Sequence, residues 1–255
     1  MDKEKISMKN VRTIIITGYG INADRELSEA FRLAGGSPES IHLSDILENP
    51  ACLTGCDILA FPGGFSFGDH LGSGKVLAHL VKSRFKKELE AFVRDGKLII
   101  GICNGFQILV KMGILPNFSG DFTQEVSLIH NESGVFTDRW IPVRYNKANS
   151  SPWIQNLEPT HYPIRHGEGR FITASPEVAE KIRQKNLSAL FYDGVNPNGS
   201  EMDIAGITDE TGRILGMMPH PEAFLFPENH PQWTRKAVSA EGRKLFENAV
   251  QYCQR

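Results

Sequence analysis

Residues 97–109 read KLIIGICNGFQIL and predict a buried β-strand that turns at once into an α-helix. The apolar run of residues 98–102 is typical of a strand that is buried on both faces. The apolar side chains that follow, Phe106, Leu109 and Val110, have helical spacing. We therefore expect the rest of the chain to be organised around a strand and a helix with almost no loop between them.

Cys103 stands at this junction, two residues from Gly101 and two residues from Gly105. A G-x-C-x-G sequence between a buried strand and a helix is the cysteine counterpart of the G-x-S-x-G nucleophile elbow. The first turn of the helix offers unpaired backbone N–H groups, and its dipole favours a negative charge on the sulfur. The pattern predicts a nucleophilic cysteine, and a buried structural cysteine is the alternative.

The composition excludes several broad classes of function. Of the 255 residues, 40% are apolar and 23% are charged, and the formal net charge is -2. There is no basic excess, so we expect no nucleic acid partner. No apolar stretch approaches the length that spans a bilayer, so we expect no membrane partner.

Cysteine usage and the start of the chain point to the cytoplasm. The chain has 4 cysteines, which is sparse for its length and fits a reducing compartment. The first ten residues are polar and lack the apolar core of a secretion signal. Cys52 and Cys56 could hold zinc, but no second cysteine pair or histidine cluster accompanies them, so we expect no metal site.

The first half of the chain alternates between strand-like and helix-like segments. A long helix is predicted over residues 75–94, with a kink near Ser83. This alternation predicts an α/β fold with a doubly wound, mostly parallel sheet, in which ligands bind at the carboxyl ends of the strands. The strands predicted before the cysteine strand are residues 11–17, 41–43 and 57–61.

The second half is richer in predicted strands. Strands and hairpins are expected in residues 122–130, 136–144 and 204–218, and residues 209–212 form the turn of the last hairpin. A final amphipathic helix is expected over residues 239–252. No repeat, linker or domain boundary is visible, so we predict a single domain over residues 1–255.

A histidine and a carboxylate follow the last predicted strand, where residues 219–222 read PHPE. If the extended geometry continues, positions i and i+2 point the same way, and Glu222 can reach the ring of His220. A nucleophilic cysteine needs a base, and the base needs a group that orients it. A loop histidine and a solvated carboxylate are the plain alternatives.

Two glycines follow another predicted strand, where residues 62–64 read PGG. Such a turn exposes backbone N–H groups that could hold an oxyanion, and Gly64 is the candidate donor. A phosphate-binding loop fails on spacing, because the pattern needs glycine where Asp69 stands and serine or threonine where Val76 stands. A flexible turn remains the alternative.

The PGG loop, the G-x-C-x-G elbow and the PHPE turn follow one another in this order along the chain, each after a predicted strand. In this they resemble the class I glutamine amidotransferases over nearly the full chain. Within that family the chain resembles the glutaminase component of phosphoribosylformylglycinamidine synthase. His70, Gly72 and Ser73 depart from the pattern, and residues 224–235 have no interpretation. The similar segments are residues 62–69, 101–107, 163–171, 196–200 and 216–222.

The resemblance implies a flavodoxin-like fold and a glutaminase that works through a cysteine thioester. Cys103 would be the nucleophile, with His220 and Glu222 as its acid–base pair. Backbone N–H groups near Gly64 and Asn104 would hold the oxyanion. The resemblance also implies two substrate contacts, Gln107 and His166, while Glu168 and Arg170 could instead face a partner.

The resemblance also implies partners, since free ammonia is a poor end product. L-glutamine would be the substrate, and a synthetase large subunit would use ATP and magnesium to activate formylglycinamide ribonucleotide in purine biosynthesis. The resemblance also allows for a small bridging subunit. No ATP-binding motif is visible in this chain, so we expect no cofactor of its own.

Four alternatives remain open at this stage. The ammonia acceptor could belong to histidine, guanylate or anthranilate synthesis, although the His-Gly-Glu-Gly segment at residues 166–169 argues against these. The chain could act alone as a hydrolase on a γ-glutamyl tail. It could be a catalytically silent regulatory subunit, or a redox-sensing cysteine protein, for which the PHPE turn would have no use.

Overall fold

The computed structural model describes residues 9–255. The expectation of no secretion signal rests mainly on residues 1–8, which lie outside the described residues. Helices α1 to α6 span Asp24–Leu33, Leu43–Glu48, Lys75–Arg94, Asn104–Met112, Pro176–Gln184 and Gly242–Cys253. Strands β1 to β11 span Arg12–Thr17, Ser37–His42, Ile58–Phe61, Leu98–Ile102, Val126–Ile129, Thr137–Tyr145, Thr160–His166, Arg170–Thr173, Ser188–Tyr192, Ile204–Thr208 and Ile214–Met217.

Nine of these strands form one mixed sheet in the order β2-β1-β3-β4-β11-β10-β9-β6-β7. The five strands from β2 to β11 are mutually parallel, and the strands from β10 to β7 continue the sheet with antiparallel pairing. The separate pair β5 and β8 is antiparallel. The predicted α/β class with a parallel sheet and a β-rich second half is thus confirmed.

The chain reverses its direction of travel across the sheet between β1 and β3, because β2 lies on one side of β1 and β3 lies on the other. Such a switch point leaves a crevice outside the carboxyl ends of the strands. The loop after β1 and the loop after β3 meet there in an isolated bridge between Ile21 and Gly64. This crevice opens beside the carboxyl end of β4.

Close packing brings α4 almost onto the backbone of the sheet. A Cβ atom on Gly105 would lie 1.8 Å from the carbonyl oxygen of Phe61 in β3. A Cβ atom on Gly101 would lie 2.6 Å from the carbonyl carbon of Gly105. The two glycines of the G-x-C-x-G sequence therefore allow the turn that joins β4 to α4.

The structure differs from the sequence-based expectations at several boundaries. The predicted strand 41–43 is wrong at its end, since Leu43 begins α2 and the His42 side chain accepts a hydrogen bond from Ser44 N. Only Val126–Ile129 of the predicted segment 122–130 is a strand. The long helix is confirmed, and its kink lies at Phe85, where φ is -139°.

Three strands and one helix of the second half were not predicted. Strands β7, β8 and β9 carry polar or proline residues that hide the two-residue alternation, and their partners are distant in sequence. The short helix α5 follows a Ser175 cap and a proline, a start signal that the sequence did contain. The turn at residues 209–212 is present, since Gly212 N donates to the Asp209 carbonyl at 3.0 Å.

Within residues 9–255, no helix is both long enough and apolar enough to cross a membrane.

Replacing Gly105 with alanine should disrupt the packing of α4 on β3. Alanine normally favours a helix, but here the added methyl group has no room beside Phe61, so we expect a loss of about 3 kcal/mol in the free energy of unfolding. Gly35→Ala is the control, since no atom lies within 4 Å of its Cβ position and its φ of +86° should cost about 1 kcal/mol. Urea unfolding measures the free energy of unfolding of both variants, and an equal loss of stability in the two would contradict this account.

Candidate active site

Cys103 lies at the tip of the turn between β4 and α4. Its backbone has φ 52° and ψ -106°, in a region that residues with a side chain rarely adopt. The Cys103 amide donates to the Met217 carbonyl at 2.8 Å, which ties the turn to the end of β11. The residue is 5% exposed, so its sulfur lies in the floor of the crevice rather than in bulk water.

His220 and Glu222 form the pair that the PHPE sequence predicts, but through a 3₁₀ turn over Pro221–Ala223 and not through the extended geometry that was expected. His220 Nδ1 lies 2.5 Å from Glu222 Oε1, and each residue is only 2% exposed. The His220 amide donates to the Pro163 carbonyl at 2.9 Å, so the loop after β11 is fixed against β7. Glu222 therefore occupies Nδ1 and leaves Nε2 as the reactive nitrogen of the ring.

The other side of the His220 imidazole, away from Glu222, faces Cys103. Burial disfavours the charged ring, but the Glu222 carboxylate and the Cys103 sulfur outweigh this effect and raise the pKa of His220 to about 9. Nε2 of His220 is buried and has no hydrogen-bond partner within the described residues. The arrangement favours a protonated His220 ring in the site.

The loop after β3 comes directly against this pair. A Cβ atom on Gly63 would lie 2.9 Å from Cε1 of His220 and 3.6 Å from Cβ of Cys103. Gly64 has φ +147°, and a side chain there would strike the backbone of Gly20 and Ile21. Close approach and backbone conformation thus both require glycine in this loop.

The two predicted oxyanion donors are the Gly64 amide in the loop after β3 and the Asn104 amide at the start of α4. Asn104 is the first residue of α4, where amides have no partner within the helix. Neither the Gly64 amide nor the Asn104 amide donates a hydrogen bond to another group of the described residues. Both donors therefore remain available to a ligand.

Arg165 is a residue of the site that sequence reasoning missed. Its carbonyl oxygen lies 3.6 Å from the sulfur of Cys103, and its Nη2 lies 3.1 Å from His220 Nδ1. The same nitrogen pairs with Glu26 of α1 at 2.8 Å. Although burial opposes the charge, Glu26 and Glu222 raise the pKa of Arg165. Strand β7 thus covers the nucleophile and adds a fixed positive charge beside the imidazole.

Gln107 lies one helical turn after the nucleophile, where its side chain is held in place. Its Nε2 donates to the Glu168 carbonyl at 2.5 Å, and its Oε1 accepts from Asn104 Nδ2 at 2.9 Å. Asn104 Oδ1 in turn accepts from the Ser66 amide at 3.2 Å. The Gln107 side chain therefore joins α4 to the turn after β7, and the Asn104 side chain joins α4 to the loop after β3.

His166 is buried at the end of β7, directly after Arg165. Its Nδ1 lies 2.9 Å from Asn131 Oδ1, which only accepts, so the proton is on Nδ1. Burial, together with the charge on His220, lowers the pKa of His166 to about 4. A neutral imidazole with a buried and unpartnered Nε2 thus lies near the reactive pair.

The segments 166–171 and 196–200, whose purpose their spacing alone does not reveal, hold each other in the structure. Asn198 Nδ2 donates to the Gly169 carbonyl at 2.8 Å, and the Phe171 amide donates to Ser200 Oγ at 3.0 Å. Arg170 Nε donates to the Gly199 carbonyl at 3.1 Å. The second segment therefore clamps the first one beside the site.

The structure brings the predicted residues into one place. Cys103, His220, Glu222 and Gly64 meet at the crevice, and Gln107 and His166 border it through the contacts given above. Among residues 9–255, no group of three or more metal-ligating side chains is placed to hold a metal ion. A thiol, an imidazole and a carboxylate in this arrangement define the class of cysteine-dependent acyl-transfer enzymes.

The particular family follows from comparison with known proteins. The model of the CobB/CobQ-like glutamine amidotransferase domain matches residues 10–253, so the chain belongs to this family of glutamine amidotransferases. Solved structures agree on the fold. A glutamine amidotransferase from Thermotoga maritima superimposes with a TM-score of 0.58 over 96% of this chain and 99% of its own, at 14% identity.

More similar proteins share a single description. The phosphoribosylformylglycinamidine synthase subunit PurQ of Dehalococcoides mccartyi is 42% identical, over 96% of this chain and 98% of its own. The PurQ subunit of Archaeoglobus fulgidus is 33% identical over 100% of both chains. The structure of PurLQS from Thermotoga maritima contains a chain with a TM-score of 0.75 and 29% identity, covering 96% of this chain and 99% of that one.

Acid should destabilise the protein through His166. The unfolded chain protonates this ring near pH 6.5, whereas the folded chain does so only near pH 4. Between these values the unfolded state binds more protons, so stability falls as the pH falls, by about 2 kcal/mol at about pH 5. Urea unfolding of His166→Gln should show that much less acid sensitivity than wild type.

His161→Gln is the matched control, because His161 is exposed on the same strand. It should keep the wild-type dependence on pH. Wild-type acid sensitivity in His166→Gln would contradict the assignment of a buried neutral ring.

Proposed function

We propose that this chain is the glutaminase subunit of phosphoribosylformylglycinamidine synthase. It hydrolyses L-glutamine to glutamate and ammonia, and passes the ammonia to a synthetase subunit. The arrangement of Cys103, His220 and Glu222 beside two free amides is the observation that carries the chemistry. The similarity to PurQ proteins over almost the whole chain supports the choice of acceptor.

The first half of the reaction forms a thioester. The sulfur of Cys103 attacks the side-chain amide carbon of glutamine, and the carbonyl electrons move onto the oxygen. The Gly64 and Asn104 amides donate to this oxyanion, and the loss of one such donor typically costs roughly 3 kcal/mol in the barrier. The intermediate collapses as the carbon–nitrogen bond breaks, and His220 gives the departing nitrogen a proton so that ammonia leaves.

The second half releases glutamate. His220, now neutral, takes a proton from a water molecule, whose oxygen attacks the thioester carbon. The carbon–sulfur bond breaks, and the sulfur leaves as a thiolate beside the imidazolium. Glu222 holds the proton of Nδ1 throughout, so that Nε2 always faces the reacting atoms, and its charge stabilises the imidazolium. Arg165 Nη2 lies 3.1 Å from the same ring nitrogen and restrains that edge of the ring.

Ammonia produced in this crevice needs an acceptor site that the chain does not supply. We infer that a synthetase subunit binds ATP and magnesium and uses them to activate formylglycinamide ribonucleotide for attack by ammonia. The PurLQS structure from Thermotoga maritima supports a multisubunit assembly, and we infer a small bridging subunit as a further member. We also infer a single domain, which the family match over residues 10–253 supports. We infer a cytoplasmic location from the similarity to PurQ subunits.

Replacing the nucleophile should separate the two nitrogen sources. With a candidate synthetase, ATP, magnesium and formylglycinamide ribonucleotide, wild type should form product from glutamine or from ammonium. Cys103→Ala should form product from ammonium alone, because the thioester cannot form without the sulfur. Product formation is followed by chromatography of the ribonucleotide, and Cys56→Ala, a change at another buried cysteine, is the control.

Two results would count against the proposal. Glutamine-dependent product from Cys103→Ala would rule out this nucleophile. Product from ammonium but not from glutamine with wild type, even after a small bridging subunit is added, would rule out this acceptor.

A further inference from the structure

One ring nitrogen of His220 contacts two side chains of opposite charge. Its Nδ1 lies 2.5 Å from Glu222 Oε1 and 3.1 Å from Arg165 Nη2. A ring nitrogen either carries a proton and donates it or lacks a proton and accepts one. The Glu222 carboxylate therefore favours a proton on Nδ1, and the Arg165 guanidinium opposes it.

The guanidinium is held in this position by a residue outside the reacting pair. Arg165 lies in β7, and its Nη2 donates to Oε2 of Glu26 in the first turn of α1 at 2.8 Å. Asp138 is the carboxylate that strand pairing alone would offer, because it lies directly opposite Arg165 in the β6–β7 ladder. The guanidinium instead reaches α1, so Glu26 keeps the positive charge against the ring of His220.

This contact disfavours a second positive charge on the ring. Although burial opposes its charge, Glu26 and Glu222 raise the pKa of Arg165, so the guanidinium stays charged. A like charge within about 4–6 Å disfavours the charged form of a titratable group. Arg165 therefore weakens the hold of His220 on its proton, and Glu26 reduces this effect because it partly neutralises the guanidinium.

The other titratable groups around the ring do not oppose the proton in this way. Burial disfavours the charged ring, while Glu222 and Cys103 favour it. His166, the next residue of β7, is neutral above about pH 4 and adds no charge at neutral pH. Of these side chains, Arg165 is thus the one whose charge opposes the proton on His220.

The proposed reaction needs a ring that both gives and takes a proton. His220 protonates the departing nitrogen in the first half and takes a proton from water in the second. Such a group works best when its pKa lies near the operating pH. With Glu222 and no opposing charge, the ring would hold its proton too firmly to serve well as the base.

We propose that Arg165 is a positioning residue whose charge limits how firmly His220 holds its proton, and that Glu26 sets the size of this effect. The inference rests on the proposed function, because it takes His220 to be the acid and the base of glutamine hydrolysis. The two partners of one ion pair then act on the same ring in opposite directions. Arg165 opposes the proton, and Glu26 favours it by neutralising Arg165.

Removal of each partner should therefore shift the titration of His220 in opposite directions. Arg165→Met removes the opposing charge and should raise the midpoint by about 1 pH unit. Glu26→Gln leaves the guanidinium without its carboxylate and should lower the midpoint by about 0.5 pH unit. We expect shifts of this modest size because the two side chains are 35% and 42% exposed, so water screens their charges.

The midpoint is measured by NMR on the full chain with ¹⁵N-labelled histidine, and the His220 signal is identified by its loss in His220→Gln. The alkaline limb of kcat/KM for glutamine, measured with this chain in complex with its synthetase, should move with the midpoint. Arg165→Lys keeps the positive charge and should lie close to wild type in both measurements. Asp138→Asn and Arg139→Met are the matched controls, since both residues are exposed on β6, and neither should shift the midpoint or the limb.

Shifts in opposite directions in Arg165→Met and Glu26→Gln would support the inference, because a purely structural ion pair would make the two variants change alike. Shifts in the same direction, or an unchanged midpoint in both variants, would overturn it. If the wild-type complex releases no ammonia from glutamine, the proposed function fails. The NMR titration still decides in that case whether Arg165 and Glu26 act on the ring of His220.

Discussion

The left-handed backbone of Cys103 is the constraint on which the site depends. A positive φ at a residue with a side chain costs about 1–2 kcal/mol, and the surrounding packing must offset this cost. Two contributions offset this cost. The Cys103 amide donates a hydrogen bond to the Met217 carbonyl, and α4 packs closely against β3 and β4, which Gly101 and Gly105 allow. With this turn in place, the sulfur and the first amide of α4 face the same crevice. A relaxed loop at this point would separate them.

The strands of the sheet position every other part of the site next to this turn. The loops after β1 and β3 meet at the switch point and bring Gly63 against Cys103 and His220. Strand β11 lies next to β4, so the loop that carries His220 begins within reach of Cys103. The antiparallel half of the sheet adds β7, which places the Arg165 carbonyl over the thiol. The parallel half thus supplies the reacting groups, and the antiparallel half encloses them.

Local patterns in the sequence predicted the reacting groups but not their enclosure. Cys103 and the His220–Glu222 pair each follow an apolar strand, so the fold class and these residues could be predicted from the sequence. The local geometry of the pair could not, because it forms through a 3₁₀ turn and not through an extended segment. Arg165 was not, because its partner Glu26 lies 139 residues away and no local rule links them. Asn131 was equally hidden, since its bond to His166 spans 35 residues. Such contacts join segments that are far apart in the sequence, which leaves no periodic signal.

The central claim is that Cys103 carries the glutamyl group during turnover, and peptide mass spectrometry tests it most directly. The complex with the synthetase is mixed with glutamine, quenched in acid during turnover and digested. We expect a mass gain of one glutamyl group on the peptide that contains Cys103, lost again when glutamine is exhausted. Glutamine consumption with no adduct under any quench time, or with an adduct on another residue, would contradict the account.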